Sequence, residues 1–409
     1  MIPAESLPRK PGNCTPHFLS GIRVIDLTTS LAGPYATMLL GDLGAEIIKI
    51  ERPKVGDDSR HWAPPTYAGH ALWYLSVNRN KKSVTLDYGQ NEGRDCLYDL
   101  IRSSDVLVTN QLGRVQKKLG IDWESVRKIK PDLIFVSITG FGLEGTRSAY
   151  PCYDLIAEGY SGVMDLTGEA ENAPQKVGTP AADLLGGADA ALGCLAALID
   201  RRASGRGHLV DISLVESMTR FMTPRIVSYL GSGEVPRRTG ARDSVIAIYQ
   251  VFETADNPIT LGLPNDNIWR RFCKAIGRTD LGGDPRYSDN AARVKLRSQL
   301  VDEIQRILRE KPRAYWLDLF VREQIPAGPI NRIDEVTADP ELQKRGLFYA
   351  IETDGYAIPQ VGLGIRFDAQ DAGSGTAPPA LGQHTDDTLA GLLGLGPERL
   401  AQLRQKGVI

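Results

Sequence analysis

The residues best suited to chemistry lie in one stretch of the sequence, residues 153–207. It contains Tyr153 and Asp154 as neighbours, and then Asp183 just ahead of a glycine- and alanine-rich run. A helix dipole favours an acid in the first helical turn, so Asp183 has an ordinary structural interpretation. The same dipole would keep the carboxylate ionised at neutral pH, and an ionised carboxylate can act as a covalent nucleophile. From the residues alone, both interpretations stay open.

Other catalytic motifs are missing or lie in an unsuitable context. Residues 140–145 match GxGxxG after a predicted strand, but TRSAYP follows, and Pro151 argues against the helix that a dinucleotide site requires. We therefore expect these glycines to shape a close-packed loop. The five histidines show no HExxH or paired spacing and no Cys/His cluster, which predicts that no metal is bound. Without a GxSxG or P-loop motif, a carboxylate nucleophile remains open.

Composition narrows the class of protein further. The 409 residues include 48 Lys and Arg against 50 Asp and Glu, so no general basic field favours nucleic acid. The five cysteines are scattered and form no CxxC pair, which argues against a disulfide framework and a zinc ribbon. The start of the sequence has no apolar region typical of a secretory signal, and the apolar run 190–199 is too short to span a bilayer. We expect a soluble, cytoplasmic protein without a membrane partner.

The elements around the motifs predict an α/β fold. Strands are predicted at residues 22–27, 45–51, 82–87, 105–109 and 132–137, with helices between them, including one at 91–103. This alternation indicates βαβ units and a mostly parallel, Rossmann-like sheet. A further helix is predicted from Thr179 and Pro180, as N-cap and first residue, to the glycine turn at 205–207. A strand at 208–214 and a helix at 215–230 follow.

Beyond residue 231 the pattern changes and suggests a second, smaller α/β domain. Short strands are predicted at 246–254 and 257–263, and helices follow them. The proline- and glycine-rich segment 357–381 is predicted to be an extended return path, and a last helix near 385–393 to pack on the first domain. The predicted large domain comprises residues 1–225 and 340–409, and the small domain comprises residues 226–339.

The chain resembles the class III CoA-transferases, which include formyl-CoA transferase, carnitine CoA-transferase and α-methylacyl-CoA racemase. The similar segments occur in family order: LSGIRVIDLTTSLAGPYATMLLGDLGAEIIKIERP, NRNKKSVTLD, SITGFGLEG, the 153–207 stretch and LGQHTDDTL. The resemblance covers nearly the whole chain. It implies a Rossmann-like large domain built from both chain ends, a small α/β domain, and a homodimer of interlocked ring-shaped subunits.

The resemblance also implies a catalytic role for Asp183, which matches the family's single aspartate before a glycine-rich helix. Asp183 would attack an acyl-CoA thioester and pass through an anhydride and an aspartyl-CoA thioester. CoA is then a substrate, and no ATP, metal or prosthetic group is needed. Gly186 and Gly187 lack side chains, which would let the thioester approach closely.

Tyr153 favours the transferase branch of the family. The racemases carry a histidine at this position, and racemisation needs one group to remove the α-proton and another to return it. The resemblance implies that Tyr153 and Asp154 orient the thiol end of CoA, although Tyr153 as a half-buried packing residue stays open. A racemase and a non-catalytic CoA-binding protein are the alternatives.

Positions in the matching motifs imply the CoA contacts. Leu31 and Ala32 would meet the thiol end, although the family's formyl-CoA member has glutamine at position 31, so that contact is absent or supplied elsewhere. Lys118 replaces an arginine and loses the bidentate fork. Surface charge or ordinary packing remains the alternative for each member of the nucleotide set, which comprises Arg52, Leu86, Gly89, Asn110, Gln111, Leu112 and Lys118.

The loop 238–244 aligns with the family's glycine-rich substrate loop, which covers the site during turnover. Arg238 and Arg242, on either side of Gly240, could bind the second carboxylate of a dicarboxylic substrate through forked hydrogen bonds. This predicts dicarboxylic substrates such as succinate, malate or citramalate. Exposed loop charges without a binding role are an equally good interpretation of the two arginines.

Overall fold

The computed structural model describes residues 3–10, 17–353, 355–368, 370–371 and 375–409, so Cys14 lies outside the described residues. They form two compact units. Unit 1 contains the described residues up to Val163, Lys176–Gly231 and Asp339–Ile409, and unit 2 contains Met164–Gln175 and Ser232–Ala338. The domain boundaries predicted from the sequence stay a prediction. The two units differ from that prediction at residues 164–175, which belong to unit 2, and at residues 226–231 and Asp339, which belong to unit 1.

A six-stranded parallel sheet forms the centre of unit 1. Its strands are β1 (Arg23–Asp26), β2 (Glu46–Glu51), β3 (Lys81–Thr85), β4 (Val106–Thr109), β5 (Ile134–Thr139) and β6 (His208–Ser213). Their spatial order is β3–β2–β1–β4–β5–β6, the order typical of Rossmann folds, and every neighbouring pair is parallel. β4 and β5 are buried along their whole length, as expected for a sheet covered on both faces. The predicted α/β class and parallel sheet are confirmed.

Helices connect and follow these strands. They are α1 (Ala32–Asp42), α2 (Asn91–Arg102), α3 (Gly113–Leu119), α4 (Trp123–Ile129), α5 (Asp154–Ser161), α6 (Ala181–Ser204), α7 (Leu214–Phe221) and α8 (Thr223–Ser232). The single helix predicted at 215–230 is wrong, because the chain forms α7 and α8 with Met222 between them. The predicted start of α6 is also wrong: Pro180 precedes the helix, and no side chain of residue 180 caps it.

By length and composition, α6 is the one helix in the described part of the chain that could cross a membrane. This is weak evidence, because a core helix of a soluble protein passes the same test. α6 packs against α1, α7, β5 and β6 within unit 1, which is the arrangement of a core helix. The absence of a membrane partner stays a prediction.

Unit 2 has an antiparallel sheet and its own core. The strands β7 (Tyr249–Phe252), β8 (Ile259–Gly262) and β9 (Ala327–Pro329) lie in that order. The longer helices are α9 (Asp266–Ala275), α10 (Arg297–Leu308) and α11 (Arg313–Arg322). Trp269, Phe272 and Phe320 are buried at the centre of this core. Shorter helices lie at Thr279–Gly283, Asn290–Lys295 and Ile333–Thr337.

The last part of the chain completes unit 1. β10 (Phe348–Thr353) and β11 (Tyr356–Val361) form an antiparallel hairpin, and Arg9–Lys10 pairs with β10. The extended path predicted for residues 357–381 begins as the strand β11, and residues 369 and 372–374 of that segment lie outside the described residues. The predicted last helix is confirmed as α12 (Thr385–Leu393), whose Leu389 joins the main core. The sequence analysis missed α13 (Pro397–Gln405). Shorter elements are Leu72–Val77, Val163–Leu166, Pro340–Lys344, Thr66–Tyr67, His70–Ala71, Arg366–Phe367 and Gln370–Asp371.

Candidate active site

A cavity of about 260 Å³ in unit 1 opens at the carboxyl ends of the parallel strands. Residues of the loops after β1, β4 and β5 form its walls. The strand order reverses between β1 and β4, which is where doubly wound sheets bind their ligands. Seven of the predicted site residues line this cavity: Leu31, Ala32, Asn110, Gln111, Leu112, Tyr153 and Asp183.

Asp183 stands in the first turn of α6 at the wall of this cavity. No described residue donates a hydrogen bond to its carboxylate, although its backbone N–H is bonded. Burial and the nearby negative charge of Asp154 raise the pKa of Asp183 to about 7. The expectation that the helix dipole keeps this carboxylate ionised is therefore wrong in direction. A helix terminus contributes about 0.3–1 kcal/mol, less than one pKa unit, so burial and Asp154 outweigh it.

Asp154 begins α5 and caps the start of α6 from another helix. Its Oδ1 atom accepts hydrogen bonds from the backbone N–H groups of Ala182, at 2.8 Å, and Asp183, at 3.2 Å. These are donors that a helix leaves unpaired at its first turn. The predicted cap at Thr179 is thus replaced by a carboxylate far away in sequence, which also places a second negative charge beside Asp183.

Tyr153 and Cys152 form the adjoining wall. Tyr153 precedes α5 and is 65% exposed. This exposure is greater than that of a half-buried packing residue, which was the alternative interpretation of Tyr153. Burial and the charge of Asp183 raise the pKa of the Cys152 thiol to about 11, so this thiol is protonated at neutral pH. The sequence analysis did not single out Cys152.

The glycines of residues 140–145 shape the loop beneath these residues. A Cβ atom at Gly140 would lie 2.0 Å from the Cβ of Cys152, so only glycine fits there. Gly142 and Gly145 have φ angles of 82° and 88°, which glycine adopts at no steric cost. The next helix begins only at Asp154. The expected close packing is found at Gly140, whereas a Cβ at Gly145 would meet no atom within 4 Å, and residues 146–153 do not form the helix that a dinucleotide site needs.

A buried ion pair holds the loop that carries Leu31 and Ala32. Lys49 Nζ lies 2.8 Å from Asp57 Oδ2 and donates to the carbonyl oxygen of Thr28. Asp57 Oδ1 in turn accepts from the backbone N–H of Ser30, which has a φ of 70°. Burial opposes charge on Lys49, but Asp57 and Asp26 raise its pKa overall. The sequence analysis missed this pair, although a lysine inside the apolar strand AEIIKIE is a signal of a buried partner.

Asn110 holds the same loop from β4. Its side-chain amide accepts from the backbone N–H of Thr29 at 3.2 Å and donates to the Thr29 carbonyl oxygen at 2.8 Å. The two loops at the reversal of strand order are thereby joined. Asn110 thus has a structural role in addition to the CoA contact predicted for it.

The paired glycines of α6 serve helix packing. A Cβ atom at Gly187 would lie 2.6 Å from the carbonyl oxygen of Ala32, and one at Gly186 would lie 2.5 Å from Leu214 Cδ2. Both glycines are buried and neither lines the cavity. The expectation that they open space for a thioester is wrong. Gly187 lets α6 approach α1, which brings the start of α6 close to the loop with Leu31, and Gly186 lets α6 approach α7.

The remaining predicted nucleotide contacts lie beyond the cavity wall. The Arg52 side chain is 59% exposed and pairs with Asp58, which lines the cavity, at 2.6 Å. Gly89 and Lys118 are exposed. Leu86 is fully buried in the core, so only its backbone could meet a ligand.

The predicted substrate loop belongs to unit 2. Arg238 Nη1 donates to the carbonyl oxygen of Asp165 at 2.7 Å and to its Oδ1 at 3.1 Å, so this arginine already has a partner. Gly240 has a φ of 62°, and a Cβ there would lie 2.2 Å from Glu169 Oε2. Arg242 is exposed and lines a cavity of about 540 Å³ in this unit.

The described residues contain no group of three or more His, Cys, Asp or Glu side chains that could hold a metal ion. The predicted independence from metals and prosthetic groups stays a prediction.

A further cavity of about 550 Å³ lies in unit 1 and is lined by His70, Lys82 and His384 among others. It shares no residue with the cavity at Asp183.

Comparison with known proteins agrees with these features. The model of CoA-transferase family III matches residues 19–385. Over 381 residues the chain is 37% identical to the succinate–glutarate CoA-transferase of Agrobacterium fabrum, with 91% of this chain and 95% of the relative covered. It is 34% identical to the human succinyl-CoA:glutarate CoA-transferase, with 96% and 90% covered.

A third relative and a solved structure extend the comparison. The succinyl-CoA–D-citramalate CoA-transferase of Chloroflexus aurantiacus is 32% identical, with 96% of this chain and 98% of the relative covered. The crystal structure of a CAIB/BAIF family protein from Brucella suis superimposes with a TM-score of 0.80 at 35% identity and covers 92% of this chain and 99% of that chain.

Proposed function

Because the chain belongs to CoA-transferase family III and is a CoA-transferase, we propose that it moves CoA from a thioester to a dicarboxylic acid, with Asp183 as the covalent nucleophile. One observation carries this proposal. Asp183 presents a carboxylate without a hydrogen bond from any described residue at the cavity where the strand order reverses. A nucleophile needs its lone pairs free, and this is the carboxylate in that wall with burial and a raised pKa.

Each step of the proposed reaction exchanges one activated acyl bond for another. An Asp183 oxygen bonds to the thioester carbonyl carbon, and the C–S bond breaks to leave an anhydride and CoA thiolate. The thiolate then attacks the Asp183 carbonyl carbon and releases the donor acid. The acceptor carboxylate displaces CoA from this aspartyl thioester, and the thiolate takes the acceptor acyl group and frees Asp183. No ATP or metal is required.

The neighbours of Asp183 take positioning roles in this proposal. Asp154 holds the start of α6 by accepting one hydrogen bond each from the backbone N–H groups of Ala182 and Asp183, and Tyr153 lines the cavity. Leu31 and Ala32 would border the thiol end of CoA. The nucleotide end, too large for a 260 Å³ cavity, would extend over Arg52, Gly89, Gln111, Leu112 and Lys118, with the backbone of Leu86 beneath.

An exchange assay tests the proposed nucleophile. Transfer of CoA from succinyl-CoA to free acid should fall at least about 1000-fold in Asp183→Asn, since the covalent route is lost. Asp200→Asn, which changes an exposed acid at the far end of α6, is the matched control and should stay within about twofold. Undiminished transfer by Asp183→Asn would refute the role. A racemase would instead incorporate solvent deuterium at the α-carbon, and a binding protein would bind CoA without exchange.

The names of the relatives favour dicarboxylic substrates. Two of them are named for CoA transfer between succinate and glutarate, and the third for transfer from succinyl-CoA to D-citramalate. We propose succinate, glutarate, malate or citramalate as substrates of this chain, with Arg242 binding the second carboxylate. Arg242 is the exposed arginine of the predicted pair, and its Nε donates to the carbonyl oxygen of Thr239 at 3.3 Å, whereas Arg238 is bonded to Asp165.

Acceptor selectivity tests this part separately. In Arg242→Ala, kcat/KM for a dicarboxylate should fall about 10-fold or more, because a charge-assisted contact is lost, while a monocarboxylate of equal length should be unaffected. Arg237→Ala removes an exposed charge from the same loop and serves as the control. If kcat/KM in Arg242→Ala fell equally for dicarboxylates and monocarboxylates, or fell equally in Arg242→Ala and Arg237→Ala, Arg242 would not be the residue that binds the second carboxylate.

We also propose a homodimer. α8 has no buried residue, and it exposes Val227, Tyr229 and Leu230. Exposed apolar side chains in a cluster mark protein contacts. Light scattering should give twice the mass of one chain, and Leu230→Lys should weaken the assembly. A single-chain mass at micromolar concentration would contradict the dimer.

The cytoplasm is the proposed location. Four of the five cysteines lie in the described residues, and all four are free. Free thiols suit a reducing compartment. Cell fractionation with a cytoplasmic marker enzyme tests this, and enrichment with membranes would contradict it.

A further inference from the structure

Thr139 has an unusual hydroxyl group. It is the last residue of β5, is 4% exposed, and lines the cavity that contains Asp183. Its Oγ1 atom is buried and forms no hydrogen bond with any described residue. The buried hydroxyls of Thr28 and Thr37, in contrast, both donate to Asp26. A buried hydroxyl without a partner destabilises the folded protein, so its position calls for an explanation.

The proposed reaction needs a donor at this cavity. When the Asp183 oxygen adds to a thioester carbonyl, the carbonyl oxygen takes a full negative charge. Hydrogen-bond donors that already point to that oxygen lower the barrier, most strongly where water is excluded. Leu31 has an aliphatic side chain and cannot donate. The other buried unpartnered atom among the residues of the wall, Gln111 Oε1, is an acceptor and cannot stabilise an anion.

We propose that Thr139 is a catalytic residue whose hydroxyl donates a hydrogen bond to the oxygen that becomes negative when Asp183 attacks an acyl-CoA thioester. This inference rests on the proposed role of Asp183. The hydroxyl keeps its proton throughout. The electron pair that moves onto the thioester oxygen returns when the C–S bond breaks, and CoA leaves as the thiolate. The ligand then supplies the hydrogen-bond partner that the described residues do not.

Thr139→Val tests the proposal, because valine has nearly the shape of threonine without the hydroxyl. The rate of aspartyl-CoA formation in a single turnover with succinyl-CoA should fall about 10- to 100-fold, while the Kd for CoA stays within about twofold. Thr139→Ser keeps the hydroxyl and should recover most of the loss. The Tm of ligand-free Thr139→Val should equal or exceed that of the wild type, since a methyl group replaces an unpaired hydroxyl.

The outcomes separate this inference from the proposal it rests on. If the wild type forms its adduct at Asp183 and Thr139→Val forms it at the same rate, the role of Thr139 is refuted and that of Asp183 stands. If the wild type forms no adduct at Asp183, the proposed nucleophile fails first. If Thr139→Val has a lower Tm than the wild type, and its affinity for CoA falls by the same factor as its rate of aspartyl-CoA formation, Thr139 acts only in folding.

Discussion

Asp26 and Asp183 both lie in unit 1, and their environments are opposite. Asp26 accepts hydrogen bonds from Thr28 and Thr37, and its Oδ2 lies 3.1 Å from Lys81 Nζ. Burial alone would raise its pKa, but Lys81 and Lys49 overcome this and lower it to about 2. Asp183 is affected by burial and by the negative charge of Asp154, and no cation among the described residues offsets them, so its pKa rises to about 7.

The difference separates scaffold from chemistry. Paired charges keep Asp26 ionised at every physiological pH, and its hydrogen bonds to Thr28 hold the start of the loop that carries Leu31. At the start of α6, an unpaired carboxylate is costly in the folded protein and therefore reactive. Perturbed pKa values of this second kind are typical of functional sites. Counter-charges, more than burial, decide which role an aspartate has here.

The largest effect is expected from breaking the paired site. Asp26→Asn leaves Lys81 buried without its counter-charge, and the loss of one partner of a buried pair typically costs about 3–5 kcal/mol. Urea unfolding at pH 7 should show a loss of this size, and Asp200→Asn should change the free energy of unfolding by less than about 0.5 kcal/mol. A loss below about 1 kcal/mol for Asp26→Asn would mean that the pair does not support the scaffold.

A smaller effect is expected at Asp183, in the pH dependence of kcat/KM. Ionised Asp183 is the nucleophile, so kcat/KM should rise as the pH rises through about 7 in the wild type. Asp154→Asn keeps an oxygen that can cap α6 but removes the negative charge, so the acidic limb should move to lower pH by about one unit. Burial remains, so the limb should stay above the ordinary range of an aspartate. A pH–rate profile of both proteins measures this, and an unmoved limb would contradict the role of Asp154.

The smallest effect concerns stability. The folded-state pKa of Asp183 is raised above its unfolded value of 3.8, so this group makes the protein progressively less stable between about pH 4 and 7. Asp183→Asn should therefore raise the free energy of unfolding at pH 8 and leave it unchanged near pH 4. Equal stability at both values would show that Asp183 is not an unpaired buried charge.

Local sequence patterns predicted the sheet well, because β-branched runs such as IFVSIT are buried along their whole length. The family resemblance supplied Asp183, which spacing alone left as a helix-start residue. The pKa of Asp183 could not be predicted, since it depends on Asp154, which meets α6 only in the folded chain. The Lys49–Asp57 pair, the packing of Gly187 on Ala32 and the unpaired Thr139 hydroxyl are likewise long-range features that no periodicity encodes.

The central claim is that Asp183 carries CoA. Incubation with succinyl-CoA without an acceptor, followed by rapid quenching and intact mass measurement, tests it most directly. The account predicts an added mass of CoA minus water, which peptide mapping assigns to Asp183 and which addition of a dicarboxylate removes as the new acyl-CoA appears. Transfer at the full rate with no adduct, or an adduct on another residue, would contradict it.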